Sequence, residues 1–342
     1  MCENGGVIRP KAFVCQDGFT STEKASNIAV MKILVAYDGT PPADAAIDDL
    51  TMAGLPKSAE AVVLSVAEVW LPPENLKDDG STNPYIEGIV AGHRERAREA
   101  VKVAREFADR AREQILNHFP SWTVTVEGTY GSPAWELLER AESIDADLIV
   151  VGSHGRSAIG RLFLGSVSQK VLTEARCSVR VARGKIEVDT KPPQIVIGFD
   201  ASEGAHAAVD AAASREWSPG SKACLVGVVN PISASMAGQF VPPVVGWVEE
   251  ENVAMESLLE GLAGQAAERL KAAGLDVDIR ILSGDPKGLI VDEAETLHAD
   301  CIFMGANRYG SRFERFLLGS VSAAVAARAH CSVEVVRKRA AK

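Results

Sequence analysis

The feature that most constrains this chain is an internal repeat. Two segments, Gly152–Ser168 and Gly305–Ser322, share a pattern of glycines and hydroxyl residues, and both end in Gly-Ser-Val-Ser, 154 positions apart. Each segment follows a short apolar run and leads into a stretch with the pattern of a helix. Because 342 residues are enough for two domains with separate cores, the repeat predicts two copies of one fold.

Apolar, strand-like runs alternate with helix-like segments through both halves, which is typical of a parallel α/β sheet. Runs such as 32–37 and 147–151 are almost wholly apolar, as expected for strands covered on both faces. Amphipathic patterns predict long helices over about 84–118 and 246–273. The predicted organisation is an N-terminal extension that we expect to be flexible, a first domain, a polar linker and a second domain, over 1–30, 31–183, 184–193 and 194–338.

Composition excludes several classes of function. The formal net charge is −10 and there is no long Lys/Arg run, so neither a nucleic-acid partner nor an anionic membrane surface is expected. Six scattered cysteines without a C-x-x-C pair argue against a disulfide framework and against a zinc site. Residues 1–30 lack the apolar core of a signal peptide, and we expect a cytoplasmic protein.

The turns after the first and fourth predicted strands carry the candidate ligand-binding groups. Ligands of open parallel sheets bind beyond the carboxyl ends of the strands, where strand order reverses. The first turn supplies Asp38 with Thr40, whose oxygens suit ribose hydroxyls or a cation bound to phosphate. The other turn leads to a helix start at Gly165, Ser166, Val167 and Ser168, where free N–H groups and the helix dipole favour phosphate. Within that turn, His154 and Arg156 are placed to contact a terminal phosphate.

Residue types alone leave a simpler interpretation of these turns open. Glycines also permit tight turns, and serines also cap helices, without any ligand. Cys177 and Cys331, at matching repeat positions, are likewise expected to be small buried residues rather than a redox pair. No G-x-x-x-x-G-K-[ST] loop, G-x-S-x-G elbow or H-E-x-x-H motif is present, and nothing designates a phosphoryl acceptor. We therefore expect no dedicated enzyme, and at most slow hydrolysis of a bound phosphate compound.

A longer pattern is more specific. Gly152-x2-Gly155-x9-Gly165-Ser166 follows an apolar strand, in a chain whose first strand ends in Val-Ala-Tyr-Asp-Gly-Thr. This combination resembles the ATP-binding branch of the universal stress protein family, over about 31–183 and again 194–337. The resemblance implies a flavodoxin-like or Rossmann-like five-stranded parallel sheet in each half, the two fused in tandem. It also implies a stress-response or regulatory role with ATP as ligand, and we expect Mg²⁺ to be held through the phosphates rather than by direct protein ligands.

The resemblance also assigns site residues. It implies that Asp38 is the acidic residue after the first strand and that the backbone of Val66 contacts adenine. The phosphate and ribose loop of the first half would comprise Gly152, Gly155, Gly165, Ser166 and Ser168. The matching residues of the second half are Asp200, Val228, Gly305, Gly319, Ser320 and Ser322.

The second half departs from this pattern. Gly305 and Gly319 are one residue further apart than Gly152 and Gly165, and Arg308 stands where a second glycine is expected. A side chain there would crowd the phosphates unless Gly310 takes over in a reshaped turn. We therefore expect nucleotide binding in the second half to be weaker or absent.

The last strand of each half would be an exposed, apolar sheet edge in an isolated domain. Such edges are usually covered or paired, and the two predict an antiparallel pairing about a pseudo-two-fold axis. The family resemblance implies the same arrangement, and we further expect a homodimer of tandem chains.

Three other functions compete with nucleotide-dependent regulation. An ATP-consuming ligase or pyrophosphatase would carry a Ser-Gly-Gly-x-Asp-Ser type of loop after the first strand, which this chain lacks. A flavin module is suggested by sheet order alone. A ligand-free interaction or scaffold protein would keep the glycine loop as a structural turn, most plausibly in the second half.

Overall fold

The computed structural model describes residues 30–69, 84–153, 164–183, 191–230, 242–306 and 318–338. In the first half the strands are β1 Met31–Ala36, β2 Ala59–Ala67, β3 Thr123–Tyr130, β4 Leu148–Gly152 and β5 Ser178–Ala182, and the helices are α1 Pro41–Asp49, α2 Pro84–His118, α3 Pro133–Ser143 and α4 Ser166–Glu174. In the second half the strands are β6 Gln194–Phe199, β7 Lys222–Val229, β8 Asp276–Ser283, β9 Cys301–Gly305 and β10 Ser332–Val336, and the helices are α5 Glu203–Ala213, α6 Pro242–Ala272, α7 Pro286–Thr296 and α8 Ser320–Arg328.

The ten strands form one continuous sheet with the order β3-β2-β1-β4-β5-β10-β9-β6-β7-β8. Within each half all strand pairs are parallel, so the predicted tandem α/β fold is confirmed. Each half has the order 3-2-1-4-5, which corresponds to the Rossmann-type sheet rather than the flavodoxin order 2-1-3-4-5. The order reverses between β1 and β4, and again between β6 and β9.

Strand alternation builds the cores on both faces of the sheet. In β4, Leu148 and Val150 pack with α1 and α2, whereas Ile149 and Val151 face the opposite side. On the same face as α1 and α2, a separate core packs α5 and α6 against the strands of the second half. On the other face, α3, α4, α7 and α8 share one apolar cluster that crosses from one half to the other. The two halves therefore have a common interior on one face of the sheet.

The halves join through β5 and β10, as the apolar edges predicted. These strands pair antiparallel, with Val181 opposite Val333, Arg180 opposite Glu334 and Val179 opposite Val335. The antiparallel join of two equivalent strands creates the predicted pseudo-two-fold relation. It also places the carboxyl ends of the two sets of strands at opposite edges of the molecule, so the two candidate crevices lie far apart in the topology.

Candidate functional site

The turn after β1 is fixed by Asp38. Its carboxylate accepts hydrogen bonds from the backbone N–H of Thr40 at 3.1 Å and from the Thr40 hydroxyl at 2.5 Å. Thr40 is buried and is the N-cap of α1. The next two residues, Pro41 and Pro42, have no N–H, so the start of α1 offers few donors to a phosphate. This corner of the site therefore presents oxygen acceptors, which suit ribose hydroxyls.

A neighbouring phenol contributes no titratable base. The Tyr37 hydroxyl donates to Asp44 Oδ1 at 2.5 Å. Burial, and secondarily this carboxylate, raises the pKa of Tyr37 well above its ordinary value. The phenol stays protonated and serves to position α1.

The end of β4 is packed directly against the start of α1. A Cβ at Gly152 would lie 2.9 Å from the carbonyl oxygen of Pro42, closer than real Cβ contacts come. Gly152 is thus needed for the contact between β4 and α1, whether or not a ligand is bound. This contact brings the Asp38 turn and the β4 turn together at the point where strand order reverses.

The start of α4 lies beside the end of β4. The N–H of Gly165, the N-cap of α4, donates to the Ser153 carbonyl at 2.8 Å, and the Ser168 hydroxyl donates to the Gly152 carbonyl at 2.6 Å. Ser166 is exposed, whereas Ser168 is buried. Because first-turn N–H groups have no acceptor within the helix, Ser166, Val167 and Ser168 offer main-chain donors at this corner. The Ser168 hydroxyl already donates to the Gly152 carbonyl and so holds α4 to β4. Ser168 would therefore contact a phosphate through its backbone N–H.

Val66 lies on the opposite side of the same crevice. It is the penultimate residue of β2 and is paired with Thr129 of β3. The Leu64 carbonyl accepts a hydrogen bond from Tyr37, at the point where β1 has ended. Since backbone groups of alternate strand residues point the same way, those of Val66 face the space beyond β1.

The structure brings most of the predicted first-half residues to one edge. The turn at Asp38 and Thr40, the end of β2 at Val66, the end of β4 at Gly152 and the α4 start from Gly165 all lie at the carboxyl ends of the strands. Gly155, Arg156 and His154 lie outside the described residues. The sequence interpretation missed Ser153, whose carbonyl accepts the hydrogen bond that holds Gly165. The signal that could have identified it is its position, because it is a polar residue directly after an apolar strand that ends in glycine.

The second half repeats this framework with changes at the start of α5. Asp200 accepts from the N–H of Ser202 at 3.0 Å, as Asp38 does from Thr40. Unlike Thr40, Ser202 also caps its helix, by accepting from the N–H of Ala205 at 3.1 Å. The first residue of α5 is Glu203, an acidic side chain that pairs with Lys338 at 3.4 Å.

The remaining second-half residues keep their equivalent positions. The Ser322 hydroxyl donates to the Gly305 carbonyl at 2.8 Å, and Gly319 is the N-cap of α8 with Ser320 exposed as its first residue. Val228 is the penultimate residue of β7. Arg308 and Gly310, on which the sequence difference between the halves rests, lie outside the described residues.

A separate cleft of about 1230 Å³ lies between the halves, away from the first-half crevice but reaching Glu203 at the start of α5. It runs between α5 and the amino ends of β1 and β5, and charged groups of both signs line it, including Lys57, Asp147, Glu203, Asp210 and Lys338. Neither sign of charge dominates in this cleft, and the predicted site residues of the first half do not line it. The cleft is therefore not the predicted nucleotide site, despite its volume. The first-half crevice is the stronger candidate for a ligand site, since it lies at the switch point of the sheet.

The described residues add two further observations. No cluster of three or more His, Cys, Asp or Glu side chains among them is arranged to hold a metal ion. None of the helices in this part of the chain is both long enough and apolar enough to cross a membrane.

Comparison with known proteins decides the family. The sequence model of the universal stress protein family matches twice, over residues 30–183 and 193–337. The chain belongs to the universal stress protein family. The two matches make it a tandem member, with both halves of the repeat belonging to the same family.

Relatives agree in length and organisation. A universal stress protein of Mycolicibacterium smegmatis is 27% identical over 314 residues, covering 90% of this chain and 97% of that protein. Universal stress protein Rv2005c of Mycobacterium tuberculosis is 26% identical over 324 residues, with the same coverage of both chains. Among solved structures, a universal stress protein from Archaeoglobus fulgidus aligns with a TM-score of 0.55 at 19% identity, covering 90% of this chain and 98% of that one. At that identity the structural likeness supports the tandem fold.

Proposed function

We propose that the first half binds ATP in the crevice beyond β1 and β4, and that the protein acts as a nucleotide-dependent stress-response or regulatory protein. The observation that carries this proposal is the meeting of three parts at the switch point: the Asp38 turn, the end of β4, and the α4 start with its first-turn N–H groups. In this family a donor-rich helix start beside a carboxylate is suited to phosphate on one side and ribose on the other.

The roles of individual residues follow from their chemistry. The N–H groups of Ser166, Val167 and Ser168 are the candidates for the phosphate side. The N–H of Gly165 is already donated to the Ser153 carbonyl, so Gly165 contributes close backbone approach at this corner. Asp38 would accept from ribose hydroxyls, and the backbone of Val66 would contact adenine. Gly155 and Arg156 would complete the loop. Mg²⁺ would be held through the phosphates.

The second half is proposed to bind nucleotide weakly or not at all. The turn after β9 is one residue longer than that after β4 and carries Arg308 where the first half has Gly155. These changes on the phosphate side disfavour a polyphosphate, and Glu203 adds a carboxylate at the start of α5. Asp200, Val228, Gly305, Gly319, Ser320 and Ser322 would then serve mainly to maintain the fold.

Catalysis is not the proposed role. Phosphoryl transfer needs a positioned acceptor and charge clamps on the transferring group. The buried Tyr37 phenol is held protonated by Asp44 and by burial, and so does not serve as a base. We propose a cytoplasmic protein that hydrolyses ATP slowly at most, and whose tandem chains form a homodimer.

A ligand-free scaffold is the second candidate, and one observation favours it. The packing of Gly152 against Pro42 and the bond from Ser168 to Gly152 account for a glycine and a serine of the motif without a ligand. Binding measurements therefore separate the two candidates better than sequence pattern does.

The two halves supply their own control for such a measurement. ATP is titrated calorimetrically into wild type, Asp38→Ala and Asp200→Ala with Mg²⁺ present. We expect one site per chain in wild type, and a loss of about 10- to 100-fold in affinity for Asp38→Ala, since a hydrogen bond to a charged group is worth about 1.5–3 kcal/mol. Asp200→Ala removes the equivalent turn contact and should leave affinity unchanged. Absence of binding to wild type would favour the scaffold, and equal losses in both variants would contradict the assignment to the first half.

A further inference from the structure

The strands that join the halves meet at residues of opposite charge. Arg180 lies opposite Glu334 in the β5–β10 ladder, with valine pairs on either side. These two residues are also the same position of the repeat, the third residue of Ser-Val-Arg-Val and Ser-Val-Glu-Val. The pseudo-two-fold axis therefore passes between them, and each faces its own counterpart from the other half.

Two arginine contacts that flank the join are alike in the two halves. The Arg183 guanidinium donates to the carbonyls of Ala326, Ala327 and Ala329 at the carboxyl end of α8. Reciprocally, the Arg337 guanidinium donates to the carbonyl of Leu172 in the last turn of α4 and to that of Cys177, directly before β5. Each half thus closes a helix of the other with the same residue type. These contacts would hold two identical halves equally well, so they do not select the partner.

The central charges belong to a buried network that alternates in sign. Arg180 Nε lies 2.5 Å from Asp49 Oδ2, and its Nη1 lies 3.3 Å from Glu334 Oε2. Glu334 in turn pairs with Arg215. Arg180 and Glu334 have no exposed surface, and Asp49 and Arg215 are buried as well. Along the row Asp49, Arg180, Glu334, Arg215 every charge therefore lies next to an opposite one.

A pair of identical halves would break this alternation. Two first halves would place Arg180 against Arg180, and two second halves would place Glu334 against Glu334, in each case where water is excluded. Each half would keep its own counterion, Asp49 or Arg215, but the two central charges would repel. Buried like charges side by side are strongly unfavourable, and interfaces use this arrangement to reject wrong partners.

We propose that Arg180 and Glu334 make the join selective: the β5 edge accepts an edge with a central carboxylate and rejects a second copy of itself. The partner that satisfies this rule is the β10 edge of the same chain. Both inner edges of the tandem are thereby closed to like pairing. A homodimer of chains would have to use another surface. The inference concerns the join alone and does not depend on nucleotide binding.

The experiment starts from the full chain with a protease site inserted in the linker (184–193). The folded protein is cleaved, unfolded in urea and refolded, so that the halves choose partners again, and the pairs are counted by native mass spectrometry. Random choice would make half of all pairs like pairs. We expect like pairs in the wild type to be roughly a hundredfold rarer than that, given the usual penalty for facing like charges. Like pairs in the random proportion would overturn the proposal.

Two matched variants assign the selectivity to the central residues. Cleavage releases the two halves in equal numbers, so pairs of first halves accumulate only as pairs of second halves do. Arg180→Gln/Glu334→Gln removes both sets of facing like charges, and like pairs should then approach the random proportion. Arg180→Met/Glu334→Met makes the same test if the first variant does not refold. Arg180→Lys keeps the charge and should retain mixed pairs. If either doubly neutral variant refolds and gives mixed pairs alone, selectivity arises elsewhere and the proposal is wrong.

Discussion

At the scale of single residues, burial controls the chemistry of the cysteines. Cys177, Cys224, Cys301 and Cys331 are all buried free thiols. Burial raises the pKa of Cys224 and of Cys331 to about 12, and that of Cys301 further still. Thiolates are the reactive form of cysteine, so these residues are inert in the folded protein. This agrees with the expectation that Cys177 and Cys331 are small packed residues.

The raised thiol pKa values predict that alkaline pH destabilises the fold. An unfolded cysteine loses its proton near pH 9.0, whereas folded Cys331 retains it to about pH 12. Between these values the folded state binds more protons, so stability is complete below pH 9 and is lost as pH rises through this window. Each such thiol contributes a slope of up to about 1.36 kcal/mol per pH unit.

Urea unfolding at pH 8, 9 and 10 measures this slope. We expect Cys331→Ala to flatten the fall in the free energy of unfolding above pH 9, and Cys224→Ala to do the same. Each variant is compared with wild type at the same pH, so the packing loss cancels from the slope. An unchanged slope in both variants would show that other groups cause the alkaline destabilisation.

At the scale of elements, the turns after β4 and β9 depend on close backbone contact. A Cβ at Gly305 would lie 2.1 Å from a backbone carbon of Gly204, a much tighter clash than the 2.9 Å distance from Gly152 to Pro42. Overpacking of this kind typically costs about 1–3 kcal/mol. We therefore predict such a loss for Gly152→Ala and a larger one for Gly305→Ala.

A helical glycine provides the control. Gly261 lies within α6 and has open space around its Cβ position. Gly261→Ala should raise the free energy of unfolding by roughly 0.5–1 kcal/mol, because alanine favours the helix. Urea unfolding with an unchanged m-value would compare all three variants. Equal losses for Gly152→Ala and Gly305→Ala would contradict the contacts described for these turns.

The elements themselves were largely predictable. The helix predicted over 84–118 matches α2, and the strand-like runs at 32–37 and 147–151 match β1 and β4 to within one residue. Apolar runs bounded by glycine and proline carry that information locally. Tertiary packing sets other boundaries: β3 continues to Tyr130, although its last residues are not apolar, because it pairs with β2 from Glu60 to Ala67.

Contacts between distant segments were not predictable in the same way. Gly152 is needed because it packs against Pro42, and the Ser168 hydroxyl donates to the Gly152 carbonyl. Nothing in the residues next to Gly152 or Ser168 in the sequence indicates these partners. Likewise Arg180 and Glu334 looked like single polar residues on apolar edges. Their opposition became visible once the register of β5 against β10 was known.

At the scale of the whole molecule, the shared interior predicts that the halves unfold together. The cluster under α3, α4, α7 and α8 includes Leu137 and Val179 from the first half and Ile290 and Val333 from the second. Opening the join would expose these side chains to water and would also separate the buried charges of the network. We therefore expect one cooperative transition.

Two tryptophans report on different parts of the molecule. Trp122 packs in the core of the first half, whereas Trp217 packs against the core of the second half and lies beside Gly54 of the first. Variants that keep one of them, with the other four tryptophans replaced by phenylalanine, can be unfolded in urea and followed by fluorescence. In each variant, we expect the unfolding transition followed by fluorescence to have the same midpoint as the transition followed by circular dichroism. Two separate transitions within one variant would show that the halves are independent.

The central claim is that the first half holds a triphosphate mainly with main-chain amides, and a crystal structure of the chain grown with millimolar ATP and Mg²⁺ tests it most directly. We predict density for the phosphates at the α4 start beside Gly165 and Ser166, ribose near Asp38 and adenine beside Val66. The equivalent crevice at Ser320 should be empty or weakly occupied. Solvent alone at the α4 start, or nucleotide bound instead in the cleft between the halves, would contradict the account.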